Sequence, residues 1–92
     1  MPLFKEVAAG RERVHGRDDE KTLDAKHAVA QTLAELGRIP EALAFFKEVA
    51  VGRERVHGLV NEETLDAMHN FAATLSGLFR YQQVRFVFAR KG

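Results

Sequence analysis

Gly52-Arg53-Glu54-Arg55-Val56-His57-Gly58, followed after a short gap by Thr64-Leu65-Asp66-Ala67, also stands 42 residues earlier, as Gly10-Arg11-Glu12-Arg13-Val14-His15-Gly16 and Thr22-Leu23-Asp24-Ala25. Working outward, Phe4-Lys5-Glu6-Val7-Ala8 returns as Phe46-Lys47-Glu48-Val49-Ala50 at the same offset. The correspondence continues through His27, Ala30, Thr32, Leu33, Leu36 and Arg38 against His69, Ala72, Thr74, Leu75, Leu78 and Arg80, then fades. A fixed period of about 20 to 50 residues marks stacked supersecondary units, each too small to bury its apolar side alone.

Each period holds two helical patterns. The first spans about residues 19–36, with Leu23, Val29, Ala30, Leu33 and Leu36 at helical spacing, and its copy over 61–78 carries Leu65, Met68, Phe71, Ala72, Leu75 and Leu78. Asn61 before Glu62 and Glu63 reads as an N-cap with acidic residues in the first turn, and Asp18 or Asp19 with Glu20 reads the same way. The second pattern starts near Pro40, suited to a first helical turn, and ends at Gly58, with Ala42, Phe46, Val49, Ala50 and Val56 facing inward. Gly37-Arg38-Ile39-Pro40 is long enough only for a turn, so the two helices form an antiparallel hairpin. Turns are expected at residues 16–19, 37–40, 58–61 and 77–81. The fold class is all-α. Gly10 and Gly52 lie inside helices, where each costs about 1 kcal/mol relative to alanine, and a closely approaching neighbour would account for them.

The small-residue signature of Ala30, Leu33, Gly37, Ile39, Ala42, Phe46 and Val49, with the Arg-Glu-Arg-Val helix ending, resembles the tetratricopeptide repeat, in the 42-residue variety of kinesin light chains. Prolines common in that family's loop are missing, and Phe79 stands where the second unit's turn glycine is expected. The resemblance implies stacked antiparallel hairpins in a right-handed superhelix of about five helices. Residues 1–16 would be the second helix of a partial repeat, 17–58 a full repeat and 59–92 a degraded final one, together a single domain. It also implies a concave groove that receives a peptide or helix of a protein partner, and binding in place of catalysis.

On this alignment Asp24, His27 and Gln31 form a polar stripe beside the apolar face, and Asp66, His69 and Asn70 its counterpart. Asn70 matches a position where the family often places an asparagine that hydrogen-bonds a bound peptide, whereas Ala28 lacks that group. A merely solvated face is the competing reading. His27 and His69 each follow an aspartate by three residues, a spacing compatible with a metal ion, but the duplication by itself explains paired histidines, and no metal or other cofactor is expected. His15 and His57 sit beside helix-ending glycines, where a protonated imidazole meets the helix dipole favourably. Ser76 is the sole serine and no nucleophile or phosphate-binding constellation can be assembled, so an enzyme is not expected.

Fourteen Lys and Arg against thirteen Asp and Glu leave a net charge of +1, which supplies no general attraction to nucleic acid or a membrane surface. The absence of cysteine excludes disulfides and thiolate metal sites, and a cytoplasmic setting is the default. The tail from Phe79 carries Arg80, Arg85, Arg90 and Lys91 among aromatic residues and no acid; a basic amphipathic contact surface competes there with a continued inward face. The opening helix has no first-helix partner, leaving Phe4 and Val7 uncovered, and Phe86, Val87 and Phe88 crowd the other end. The alternative function is therefore a self-associating scaffold, a homo-oligomer joined through its terminal helices, with near-identical repeats allowing two copies to exchange one.

Overall fold

A computed structural model describes the backbone of residues 2–91 and the side chains of residue 3 and residues 5–80. It contains four helices: α1 (Pro2–His15), α2 (Glu20–Glu35), α3 (Ile39–His57) and α4 (Glu62–Lys91). No strand occurs among the described residues. Each helix packs on the next in chain order, α1 on α2, α2 on α3 and α3 on α4, so the molecule is a row of helices measuring 51 × 33 × 14 Å.

The expected caps form. The Asp19 carboxylate accepts from the Lys21 amide at 2.9 Å and the Asn61 side-chain oxygen from the Glu63 amide at 2.9 Å, each satisfying a donor that the first helical turn leaves free. Pro40 lies in the first turn of α3, where its missing amide costs nothing. Gly16, Gly37 and Gly58 end α1, α2 and α3, and Gly37 adopts φ +80°, a left-handed conformation that reverses the chain within a short turn.

The core lies between α2 and α3 with α1 against them: Leu23, Val29, Ala30, Leu33, Ala42, Phe46 and Ala8 are buried, and a second cluster joins Val49 and Ala50 to Ala67 of α4. Full burial of a side chain such as Leu23 or Leu33 stabilises by about 1.5–3 kcal/mol. Gly52 is the contact point the sequence anticipates, since a Cβ there would stand 2.5 Å from Leu23 Cδ2. Gly10 has no such neighbour; its Cβ would meet nothing within 4 Å.

Three expectations are corrected. The turn at 77–81 does not form: α4 runs unbroken through it, so the helices number four where about five were expected. The first unit turns on Gly37 and restarts on Pro40; the positions 42 residues later hold Phe79 and Gln82, which favour continued helix over a left-handed turn. Leu36 and Val56, assigned to inward faces, are exposed because each sits at a helix end beyond the reach of its neighbour. Leu65, Ala72 and Leu75 of α4 are also exposed, whereas Leu23, Ala30 and Leu33 at the same places in α2 are buried, because no returning helix covers α4.

Candidate functional site

A groove of about 570 Å³ runs between α2 and the first half of α4, with α3 as its floor. Glu20, Asp24 and His27 line one wall, Glu63, Asp66, His69 and Asn70 the other, and Val49 and Arg53 rise from below. One helical turn separates Asp24 from His27, and Asp66 from His69, so each pair projects from one side of its helix. Five of the six stripe residues thus border one groove; Gln31 is exposed but does not line it.

Arg53 organises the floor. Four residues after buried Val49, it lies on the same face of α3, and its side chain is only 11% exposed. Its guanidinium donates to Glu20 at 2.7 Å, to Asp24 at 2.7 Å and to Glu63 at 3.4 Å, linking both walls to the floor. Burial opposes the charge on Arg53, but hydrogen bonds to Asp24 and Glu20 outweigh it and hold its pKa above the ordinary value. The Thr64 hydroxyl donates to the Arg53 carbonyl at 3.2 Å, tying the start of α4 to the same residue. The sequence reading passed over Arg53 as part of a helix ending; its spacing from Val49 was the available signal.

His27 is half-buried and sets its ring edge-on to Phe46, with centroids 5.8 Å apart. Burial first, and the Arg53 charge second, push its pKa below the usual histidine value despite the opposing pull of Asp24. His27 is therefore a neutral imidazole at neutral pH, able both to donate and to accept. His69 is exposed, Asn70 half-buried. With four carboxylates facing one guanidinium, the groove has an excess of negative charge.

For a metal, the structure brings together Glu20, His57 and Glu63, whose ligand atoms lie within 4.8 Å of one another, and His57 Nε2 is 2.9 Å from Glu63. These carboxylates already bind Arg53, whose fixed positive charge would repel a divalent cation, so the cluster suits an ion-pair network. The histidine–aspartate pairs suggested by spacing are not part of it. Of the terminal residues assigned to self-association, Val7 is 44% exposed; the side chains of Phe4, Phe86, Val87 and Phe88 lie outside the described residues.

Residues 22–62, from the first turn of α2 to the start of α4, match the family model of the tetratricopeptide repeat. That segment, residues 22–62 of the 92, is similar to a tetratricopeptide repeat. Tetratricopeptide repeats generally mediate protein–protein interactions and are not enzymes. The match is compatible with the kinesin-light-chain-like variety without distinguishing it. No curated protein and no solved structure gives a significant match. No described helix is long and apolar enough to cross a membrane.

Proposed function

We propose that this chain is an interaction module that holds a peptide or helix of a partner protein in the groove between α2 and α4, and that the contacting side of that partner is basic. The observation that carries this reading is the lining: Glu20, Asp24, Glu63 and Asp66 against the single guanidinium of Arg53. Such a surface attracts lysine and arginine and repels acidic segments. Asp66 makes no ion pair among the described residues and is exposed, so it is ready to meet a partner's cation. His69 and Asn70 offer polar side chains to a peptide backbone, and His27 adds a flat apolar edge with a polar tip.

A displayed peptide library selected against the chain tests the proposal. Selected sequences should be enriched in lysine and arginine, and Asp66→Asn and Asn70→Ala should each weaken their binding about tenfold, roughly 1.4 kcal/mol, with the helical circular dichroism unchanged. Binders with no basic preference, or indifferent to both substitutions, would remove the groove from consideration.

A further inference from the structure

The two ends of this molecule are the two halves of an interface already present at its centre. Inside the chain, α3 packs on α2: Leu23 seats on Gly52, and Arg53 binds Glu20 and Asp24. Shifted by 42 residues toward the N-terminus, the α3 half becomes Val7, Gly10 and Arg11 of α1. Shifted by 42 toward the C-terminus, the α2 half becomes Glu62, Leu65 and Asp66 of α4. Both shifted halves are open. Val7 is 44% exposed where Val49 is 1% exposed, and Leu65 is 54% exposed where Leu23 is 2% exposed. A Cβ at Gly10 meets nothing, where one at Gly52 strikes Leu23. Arg11 on one side, and Glu62 and Asp66 on the other, make no ion pair among the described residues.

We propose that copies of this chain stack head to tail, α1 of one copy packing on the first half of α4 of the next as α3 packs on α2 within the chain. Leu65 of that next copy then seats on Gly10 of the first, and its Glu62 and Asp66 receive the first copy's Arg11. The contact is heterologous, because different surfaces meet, so each copy added leaves another open end and growth continues until a ring closes. One intrachain contact has no counterpart: Arg55 binds Asp18, whereas Val60 stands at the shifted Asp18 position. The interface between copies is therefore weaker than the one it repeats. Stacking also completes a second groove. The cleft of about 500 Å³ beside Val7, Arg11 and Asp24 repeats the floor and one wall of the groove between α2 and α4, and the next copy's α4 supplies the missing wall.

Sedimentation equilibrium of the chain and two variants tests this. The unmodified chain should rise in mean mass with concentration past twice its 10.3 kDa. Gly10→Leu fills the seat for Leu65 without touching the copy that carries it, and Leu65→Glu places a charge at an exposed position; each variant alone should sediment as a single chain with full helix content. Mixed in equal amounts they retain one working α1 surface and one working α4 surface, and should form a species of two chains and no larger. Arg11→Glu should raise the dissociation constant about tenfold or more. A chain that remains at 10.3 kDa to high micromolar concentration overturns the proposal. So does association that stops at two chains, which marks a symmetric dimer, or a variant mixture that stays monomeric.

Discussion

Gly10 and Gly52 occupy one place in two copies of one helix, and their surroundings differ completely. Alanine at position 10 adds helix propensity and meets open space; alanine at position 52 pushes against buried Leu23. Thermal or urea unfolding at low protein concentration should show Gly10→Ala as the more stable of the two by about 1 to 3 kcal/mol. Equal stabilities would mean that Leu23 does not sit on Gly52. His27 is the residue whose protonation the fold resists. Its folded pKa lies below the unfolded value near 6.5, so the unfolded chain binds the proton more readily within that window. The associated stability is complete above the unfolded value and is lost as pH falls through the folded one. Imidazole titration by NMR should place His27 below the ordinary histidine value, and Arg53→Gln should raise it by removing a nearby positive charge and freeing Asp24. No upward movement would contradict the proximity of Arg53.

At the scale of elements, the unbroken α4 follows from losing two small punctuation marks. Restoring both, as Phe79→Gly with Gln82→Pro, should break the helix there, since glycine reopens the left-handed conformation and an interior proline costs about 3 kcal/mol in a continuous helix. Carbon chemical shifts over residues 77–83 report the outcome; helical values throughout would show that the turn residues do not decide α4. Lys26 of α2 poses a different question. Its side chain, 10% exposed, reaches Glu12 of α1 at 2.8 Å and Glu48 of α3 at 3.7 Å, and its hydrogen bond holds the Glu12 carboxyl below its ordinary pKa. Both carboxylates are about half exposed and can rehydrate, and Met68 occupies the equivalent place in the second unit. Lys26→Met should accordingly change stability by less than about 1 kcal/mol, whereas a loss of several would show that the bridge holds α1 in place.

For the whole molecule, the acidic lining of the groove sets a test by ionic strength. A basic peptide held there should lose affinity as salt rises, because exposed charges are screened over about 10 Å at 0.1 M. Affinity independent of salt would instead remove the acidic lining as the source of binding.

The repeat itself, the all-helical class, three of the four expected turns and the side of the helix that Asp24, His27, Asp66, His69 and Asn70 share, though not its separation from Gln31, were legible in the sequence, because caps, turn glycines and helical spacing act over a few residues. That same local logic marks Leu23 and Leu65, or Val49 and Val7, as equivalent, and their opposite exposures came only from the tertiary structure. Burial depends on which helix lies alongside, and identical words of sequence acquire different neighbours at the middle and at the ends of a row. Arg53 belongs to the same class of fact. Its role arises where three helices bring Glu20, Asp24 and Glu63 to one point, across separations of 33, 29 and 10 residues that no local pattern encodes.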